Sequence, residues 1–158
     1  MKRLIPTAEM TLGPFFPREF AAGANDLTQL AGQPVEGEVI EVTGTVTQLD
    51  GKPLDNLVLE IWQADSRGRY DNPAFLGWGR AATDANGVYF FKTVKPGGRA
   101  PSINFLLLYS GLMRQLQTVM HFEPGNHPES LVAKKEGPNR YRFDIRLRGE
   151  GETPFFED

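Results

Sequence analysis

Short runs in which apolar and polar residues alternate recur along this chain, and each run ends at a cluster of turn-forming residues. Residues 140–147, RYRFDIRL, show the pattern most clearly, with Tyr141, Phe143, Ile145 and Leu147 on one side. Strict alternation is the period of a β-strand with one buried face. Further strands are predicted at residues 38–49, 57–64, 79–83, 88–94, 103–109 and 115–122, each by alternation or by a run of β-prone or apolar residues. Roughly eight short strands at close intervals predict an all-β, single-domain β-sandwich.

Four details of this pattern give specific predictions. The turn DANG at residues 84–87 predicts a type I′ hairpin, because Asn-Gly accepts the positive φ angles that this turn requires. Gly44 interrupts the run 38–49 and predicts a β-bulge. Residues 103–109, INFLLLY, are nearly all apolar and predict a central strand that is covered on both faces. Residues 129–135 predict one or two helical turns.

The composition limits the classes of protein to which the chain can belong. It has 158 residues, of which 40% are hydrophobic, so one domain with a substantial core is expected. Its net charge is −3 and no basic run is present, which argues against nucleic acid as a partner. The absence of cysteine excludes disulfides, thiolate nucleophiles and zinc sites built on cysteine.

The sequence also predicts where the protein resides. The opening MKRLIPTAEM carries positive charge but lacks the apolar stretch of a secretory signal. No apolar run approaches about 18 residues, the length that a membrane-spanning helix needs. We therefore expect a cytoplasmic protein without a membrane partner.

Residues 1–37 show little periodicity and predict an extended N-terminal arm ahead of a sandwich at residues 38–158. The segment TLGPFFPREF places prolines around a phenylalanine pair, which disfavours both helix and central strand. Phe15, Phe16 and Phe20 in this arm require burial. They are expected to pack either against their own sandwich or against another chain, where exposed apolar groups often mark an interface.

The stretch Leu57–Tyr70, LVLEIWQADSRGRY, joins a strand to a turn. Its first half alternates, whereas residues 65–69 carry turn chemistry, because Asp and Ser bond nearby backbone and Gly68 tolerates a positive φ. The chain then enters the loop at residues 71–79, DNPAFLGWG, through Tyr70. A rigid strand thus presents a tyrosine at the lip of a loop rich in Gly and Pro, a common way to build a site.

The sequences EIWQADSRGRYD and FLGWGRAATDANGVYFFKTVKPG resemble the intradiol ring-cleavage dioxygenases. This resemblance implies a non-haem ferric ion, Fe(3+), which two tyrosines and two histidines hold and which opens catechols between their two hydroxyl groups. Phenolate and imidazole ligands suit such an ion. Tyr70 matches the position of the first tyrosine ligand.

The other three ligand positions of the family are not filled in this chain. In iron-bearing chains the two histidines stand two residues apart on one strand, so that both point to one face. Ser102 and Asn104 replace these histidines here, and the second tyrosine gives way to Gly97-Gly98-Arg99. The resemblance therefore predicts no metal ligand set in this chain.

His121 and His127 are the two histidines of the chain. His121 lies in a predicted strand next to Phe122, which is typical of a packed histidine. His127 lies in the polar loop GNHPES and is expected to be solvated. They offer no convincing metal site of their own.

The C-terminal sequence YRFDIRLRGEGETPFFED and the segment TLGPFFP resemble the alpha subunits of protocatechuate 3,4-dioxygenases, one branch of this family. The motifs WQAD, KPG, AP-x-IN and GEGET occur in the family's order. Such alpha subunits pair with beta-type subunits that hold the iron, so the resemblance implies Fe(3+) on a partner chain and a catechol and O₂ as substrates. Thr11, Gly13 and Pro14 would line the pocket beside the partner's iron. The isolated chain, without catalytic residues, is expected to be inactive.

The chain departs from the alpha pattern at two positions and in one loop. Alpha subunits commonly keep a histidine at the position of Ser102 and an arginine at the position of Ser110, and the loop after KPG is usually longer. That arginine faces the substrate, and a carboxylated substrate is best matched by a guanidinium. Arg99 and Arg114 are candidates to replace it, and the sequence does not decide between them.

Two alternatives stay open. The chain is either a stand-alone β-sandwich module for binding or assembly that kept the fold and lost the chemistry, or an enzyme whose metal site is rebuilt around Tyr70 or His121. An arm that folds onto its own sandwich in a stable monomer would favour the module. Stoichiometric iron with a visible ferric–tyrosinate band in the purified chain would favour the rebuilt site.

Overall fold

The computed structural model describes residues 16–156 of the chain, which form two packed β-sheets and a separate two-stranded sheet of β1 and β2. Its strands are β1 (Gln29–Leu30), β2 (Gln33–Pro34), β3 (Val39–Thr47), β4 (Val58–Gln63), β5 (Trp78–Ala82), β6 (Val88–Val94), β7 (Ser102–Leu108), β8 (Leu116–His121), β9 (Lys134–Lys135), β10 (Arg140–Arg142) and β11 (Ile145–Arg146). Three short 3₁₀ helices span Arg18–Ala21, Leu49–Gly51 and Glu129–Leu131. The all-β sandwich that the sequence predicts is confirmed.

One sheet is built around β3, and we call it the β3 sheet. On one side of β3 lies β6, which is antiparallel to it. On the other side β10 and β11 run parallel to β3, and β9 continues the sheet beyond β10. The second sheet, the β4 sheet, has the antiparallel order β5-β4-β7-β8. Its strands β4 and β7 are central, and β5 and β8 form its edges.

The core lies between the two sheets and is closed by aromatic rings. Tyr89, Phe91, Phe105 and Phe143 are almost fully buried, and their ring centroids lie 5.4 to 6.3 Å apart in edge-on or tilted contacts. The Tyr89 hydroxyl donates a hydrogen bond of 2.6 Å to the Phe143 carbonyl. Without this bond, the buried Tyr89 hydroxyl would have no hydrogen-bond partner.

Gly44 lies in this core, in regular register, so the predicted bulge is wrong. It pairs with Tyr89 inside an unbroken antiparallel ladder. A Cβ atom on Gly44 would lie 1.9 Å from the Phe143 carbonyl oxygen and 2.9 Å from the Tyr89 hydroxyl. The glycine is therefore required by the close approach of a neighbouring strand, and not by an irregular ladder.

The predicted hairpin at residues 84–87 is present, but its turn is not type I′. Gly87 has a φ of 73°, whereas Asn86 does not have the positive φ that type I′ demands. The Asp84 carboxylate accepts hydrogen bonds from the backbone N–H groups of Asn86 and Val88. This side-chain capping stabilises the alternative turn, which needs a positive φ at the glycine alone.

The strand β7 is central, as predicted, but only one of its faces is buried. Ile103, Phe105 and Leu107 point into the core, whereas Asn104 is exposed and Leu106 is half-buried. The predicted cover on the outer face is thus wrong for the described part of the chain. The outer face of the β4 sheet carries apolar residues without a layer above them.

Both ends of the described chain are fastened to the sandwich. Near the N-terminus, Leu27 is part of the core and its N–H donates to the Lys92 carbonyl. Near the C-terminus, Thr153 exchanges two hydrogen bonds with the backbone of Arg146 on β11. The Phe156 N–H then donates to the Gln117 carbonyl on β8. This C-terminal strap, residues 152–156, joins an edge of each sheet.

Within residues 16–156, no helix has the length and apolar character needed to cross a bilayer. The longest helical segment there is the four-residue 3₁₀ helix Arg18–Ala21.

Candidate functional site

The turn after β4 is organised by one buried carboxylate, Asp65. This side chain is 2% exposed and accepts hydrogen bonds of 2.9 Å from the N–H groups of Arg67 and Arg69. The Arg69 guanidinium and the Asn72 amide donate to its other oxygen. Burial raises the pKa of Asp65, but these donors outweigh it and lower the pKa to about 2. The turn is thereby locked with a charged carboxylate at its centre.

Tyr70 leaves this turn toward solvent. It is 58% exposed, and its ring meets the Trp62 ring edge-on at 5.9 Å. Its hydroxyl has no hydrogen-bond partner among residues 16–156. The structure thus confirms a tyrosine at the lip of the loop, and it presents the phenol outward without a second metal ligand.

Ser102 and Asn104 share the outward face of β7. Asn104 pairs with Trp62 across the sheet and donates to the Trp62 carbonyl, and Ser102 pairs with His121 on β8. Tyr70 also contacts Trp62, so three family ligand positions come together on the outer face of the β4 sheet. The side chains that meet there are a phenol, a hydroxyl and an amide.

The fourth position shows why a tyrosine is absent. A Cβ atom on Gly97 would lie 2.3 Å from the Ser66 carbonyl oxygen, and the Gly97 N–H donates to the Asp65 carbonyl. Gly98 has a φ of 101°, which a side chain disfavours. The turn at Lys95-Pro96-Gly97 therefore packs against the Asp65 turn through backbone atoms, with no side chain at Gly97.

These residues do not fit a ferric ion. No group of three or more His, Cys, Asp or Glu side chains in residues 16–156 is arranged to hold a metal. Of the four ligand positions of the family, Tyr70 alone keeps its ligand. The neutral Ser and Asn side chains at two other positions do not offset the charge of Fe(3+).

His121 and His127 form a feature that the sequence did not predict. Their rings stack with centroids 3.6 Å apart and planes 11° apart, and His127 Nε2 lies 3.0 Å from the Glu123 carbonyl. Burial and the neighbouring His127 lower the pKa of His121. Parallel stacked rings direct their nitrogens sideways, so the pair does not chelate a metal. The expectation that His127 is solvated is wrong, since it lies half-buried against His121.

The position of Ser110 lies at the other end of β7, beside a cavity of about 610 Å³. Five of its twelve lining residues are leucines, and Tyr109, Asp50, Lys52 and Arg148 also line it. Six residue steps of β7 separate the two ends of the strand by about 20 Å. Arg99, which precedes β7, therefore cannot stand in for an arginine at Ser110.

Arg114 lies at the same end of β7 as Ser110. The turn that follows β7 is closed by a hydrogen bond from the Leu112 N–H to the Tyr109 carbonyl and carries Ser110, and Arg114 follows it in the loop that leads to β8. Arg114 borders a second cavity, of about 370 Å³, that shares Leu116 and Leu147 with the first. Of the two candidates, Arg114 is thus the one in the same loop as Ser110.

Thr11, Gly13 and Pro14, the predicted pocket residues, lie outside the described residues, as does Phe15. The described chain begins at Phe16, whose carbonyl accepts a hydrogen bond of 2.7 Å from the Asn56 amide. Phe16 stacks on Phe20 with centroids 5.3 Å apart. The first described residue, Phe16, therefore lies beside the turn that precedes β4.

Known proteins resemble the chain along most of its length. A family model described as Dioxygenase matches residues 11–104. The protocatechuate 3,4-dioxygenase alpha chain of Pseudomonas putida is 35% identical over 162 residues, which cover 82% of this chain and 81% of that one. The beta chain of the same-named enzyme from Burkholderia cepacia is 38% identical over 175 residues, which cover 82% and 74%.

A solved structure agrees with this match. The dioxygenase domain of a dioxygenase carbohydrate-binding protein fusion from Streptomyces sp. SirexAA-E superimposes with a TM-score of 0.65. It is 26% identical, and the match covers 90% of this chain and 98% of that domain.

Proposed function

Since the chain belongs to the intradiol dioxygenase family and is alpha-like within it, we propose that it is the alpha-type subunit of a ring-cleaving enzyme that ligates no iron itself. The complex would cleave a catechol such as protocatechuate with O₂, inserting both oxygen atoms to give a carboxymuconate-type product. The observation that supports this proposal is the outward patch of Tyr70, Ser102 and Asn104, in which Tyr70 matches one ligand position of the family and Ser102 and Asn104 stand in place of its histidines.

The iron would be held by a beta-type partner chain. This chain's residues do not fit a ferric ion, so no step of oxygen chemistry is assigned to them. Their part would be to shape the partner's pocket with Thr11, Gly13 and Pro14 and to hold the two chains together. The cytoplasm is the proposed location of the complex.

Purification of the tagged chain from its native cell tests this assignment. We expect it to bring down a larger sandwich chain with about one ferric ion per pair, and the complex to consume O₂ with protocatechuate or catechol. The chain expressed alone is expected to stay free of iron and inactive. Stoichiometric iron with a ferric–tyrosinate band in the lone chain would contradict the proposal and favour a rebuilt site at Tyr70.

We further propose that Arg114 pairs with the carboxylate of the substrate. It lies in the same loop as Ser110, between β7 and β8, and a guanidinium binds a carboxylate through two parallel hydrogen bonds. In the complex, Arg114→Gln should raise KM for protocatechuate by about 10- to 100-fold, the loss expected for a hydrogen bond to a charged group.

Catechol, which lacks the carboxylate, should show an unchanged KM in the same variant. Arg99→Gln, at the opposite end of β7, is the matched control and should affect neither substrate. An equal rise in KM for both substrates would mean that Arg114 shapes the pocket without reading the carboxylate.

The stand-alone module is the second candidate, and one observation favours it. The described part of the N-terminal region packs on its own sandwich, with Leu27 in the core and Arg80 bonded to the Ala24 carbonyl. A chain that elutes from native extracts as an iron-free monomer would support this reading over the subunit.

A further inference from the structure

The turn between β5 and β6 contains the single Asn-Gly pair of this sequence, Asn86-Gly87. Asparagine is among the thermally labile residues. In an Asn-Gly pair the backbone nitrogen of the glycine can attack the side-chain amide carbon of the asparagine, because glycine has no side chain to hinder the approach. The turn therefore carries the groups for a covalent change that needs neither a cofactor nor a second protein.

This change, deamidation, has two steps whose atoms balance with water alone. The Gly87 nitrogen loses its proton and forms a bond to Cγ of Asn86, while the bond from Cγ to the side-chain nitrogen breaks and ammonia leaves with that proton. The product is a five-membered succinimide ring. Water then opens the ring at either carbonyl, which gives an aspartate or an isoaspartate, in which the main chain runs through the former side chain.

The Asn86 side chain is open to this reaction. Asn86 is exposed to solvent, as are Asp84 and Ala85 before it. Its backbone N–H donates to the Asp84 carboxylate, whereas its side-chain amide forms no hydrogen bond with any of residues 16–156. Water therefore reaches the amide carbon, and the side chain is free to rotate toward the next residue.

The attacking nitrogen of Gly87 is held in place by the fold. Gly87 is buried, and its N–H donates a hydrogen bond of 2.9 Å to the Asp84 carbonyl. Its carbonyl accepts a hydrogen bond of 2.8 Å from the Val46 N–H on β3. A nitrogen bonded in this way cannot lose its proton and turn toward the Asn86 side chain until the turn opens.

The fold does not allow another residue in place of Gly87. The glycine has a φ of 73°, and a Cβ atom there would lie 2.7 Å from the Val46 carbonyl oxygen and 2.9 Å from Cβ of Pro53. The labile pair is therefore a consequence of the close packing at this turn. Protection of Asn86 has to come from the hydrogen bonds that keep the turn closed.

The Asp84 side chain supplies that protection. One of its carboxylate oxygens accepts hydrogen bonds of 2.9 Å from the N–H groups of Asn86 and Val88. The Asp84 N–H donates to the Val88 carbonyl and closes the base of the turn. Loss of the carboxylate leaves two backbone donors to water, so it raises the fraction of chains in which the turn is open.

We propose that Asn86-Gly87 is a spontaneous deamidation site whose reactivity is controlled by the Asp84 carboxylate. While the turn is closed, the Gly87 nitrogen is occupied and Asn86 persists, and each local opening exposes the pair to reaction. The isoaspartate product lengthens the main chain and places a second carboxylate near that of Asp84, so the modified turn cannot form the same bonds again. Because β5 belongs to the β4 sheet and β6 to the β3 sheet, the modification permanently loosens a connection between the two sheets.

Peptide mapping by mass spectrometry tests the proposal on the full-length chain. The folded chain and the same chain unfolded in guanidinium chloride are incubated at neutral pH, and the fraction of Asn86 converted to aspartate and isoaspartate is followed. Since the rate follows the population of the open turn, we expect conversion at least about tenfold slower in the folded chain. Equal rates would show that the turn gives no protection, and an unreactive Asn86 in the unfolded chain would show that the pair is not labile. Either result overturns the proposal.

Two substitutions of Asp84 test its control of the reaction. Asp84→Ala removes the acceptor, and we expect roughly tenfold faster conversion of Asn86 in the folded chain, the change expected when two hydrogen bonds of an exposed turn are lost. Asp84→Asn is the matched control, because its amide oxygen still accepts from both N–H groups, and it should react at close to the rate of the unsubstituted chain. If Asp84→Ala reacts no faster than Asp84→Asn, the carboxylate does not control the site.

Leu131→Ala distinguishes local opening of the turn from unfolding of the whole chain. Leu131 is a buried residue in the loop that follows β8, on another part of the sandwich, and its loss from the core lowers global stability. We expect Asn86 to react at an unchanged rate in this variant. An acceleration equal to that of Asp84→Ala would mean that global unfolding exposes the pair, and it would overturn control by the turn.

The isolated product tests the consequence for the fold. Deamidation adds one negative charge, so anion-exchange chromatography separates the converted chains from the unconverted ones. We expect the isoaspartate-containing chains to have a lower Tm than the unconverted chains from the same incubation. An equal Tm would show that the turn closes again around isoaspartate, and it would overturn the inference that the connection between the sheets is loosened.

Discussion

Asp65 is the residue on which the geometry around Tyr70 depends. It is buried, ionised and surrounded by five hydrogen-bond donations from Arg67, Arg69 and Asn72. A buried carboxylate is stable only while its donors stay in place. The turn is consequently fixed as a unit, and Tyr70 leaves it in one direction.

Replacing this carboxylate should weaken the fold strongly. Asp65→Asn keeps the size of the side chain but turns an amide N–H₂ toward donors, and we expect it to lower the free energy of unfolding by about 2 to 4 kcal/mol. Urea denaturation monitored by tryptophan fluorescence measures the change. Asp71→Asn, an exposed neighbour in the same loop, is the control and should change stability by less than about 0.5 kcal/mol. Similar losses of unfolding free energy in the two variants would mean that the Asp65 carboxylate does not hold the turn together.

The stacked histidines give a pH-dependent prediction at the same scale. The folded pKa of His121 is lowered, so stability from the neutral ring is complete above the unfolded pKa of about 6.5 and is lost as the pH falls through the folded value. NMR titration of the His121 ring protons measures that pKa. In His127→Gln the neighbouring imidazole is removed, and the pKa of His121 should rise toward its ordinary value.

Gly125→Ala tests the same stack from the backbone. A Cβ atom there would lie 2.8 Å from the His127 ring, so the methyl group should displace this ring and raise the His121 pKa in the same direction. An unchanged pKa in both variants would show that His127 has no influence on His121.

At the scale of elements, β3 is the strand whose packing tolerates least change. It lies between β6 and the β10–β11 pair, and Gly44 is the point where the Phe143 carbonyl crosses closest. Because that oxygen belongs to the backbone of a neighbouring strand, it cannot move aside as a flexible side chain would.

Gly44→Ala should therefore cost at least about 3 kcal/mol of unfolding free energy, the upper range for overpacking a core. Chemical denaturation of the soluble protein measures it, and failure to accumulate soluble protein would agree with it. Gly137→Ala is the matched control, because its Cβ atom would meet nothing closer than 3.9 Å and its φ is not positive. A near-neutral Gly44→Ala would show that β3 and residue 143 can separate freely.

The sequence predicted these elements well where the signal is local. Alternation located β4, β5, β6 and β7 to within one or two residues, since each strand carries its own pattern. The role of Gly44 was predicted wrongly, because the Phe143 carbonyl that requires a glycine at this position lies far along the chain. The turn at Asn86 was misread because the Asp84 carboxylate, and not the dipeptide alone, selects the turn type.

The candidate site also contains features that the sequence predicted and features that it did not. Tyr70, Ser102 and Asn104 followed from motif positions, and strand periodicity placed the last two on one face. The stack of His121 on His127 depends on how a loop folds back over its strand, which six residues of sequence do not reveal. The choice of Arg114 over Arg99 needed the direction of β7, which is a property of the assembled sheet.

At the scale of the whole molecule, the C-terminal strap holds the two sheets together. It bonds β11 through Thr153 and β8 through Phe156, and the Thr118 hydroxyl donates to the Pro154 carbonyl. Since β11 belongs to the β3 sheet and β8 to the β4 sheet, the strap closes an open edge of the sandwich.

Ending the chain after Gly151 should remove this closure. We expect the loss of these hydrogen bonds and of the Phe155 contact to lower the free energy of unfolding by about 2 to 4 kcal/mol. Differential scanning calorimetry should record a lower Tm with a single transition. Glu150→Ala, an exposed change just before the strap, is the control. An unchanged Tm after truncation would mean that the sheets hold together without the strap.

The parallel pairing of β3 with β10 and β11 sets the order in which the protein can be completed. Glu41 and Arg140 pair although they are 99 positions apart in the chain. During synthesis, β3 leaves the ribosome long before this neighbour exists, and it must wait with one edge bare. A topology dominated by such distant contacts folds slowly. We therefore expect nascent chains of this protein to be prone to aggregation until β10 and β11 have been translated, and their yield in the cell should depend on holdase chaperones that shield β3 in the interval.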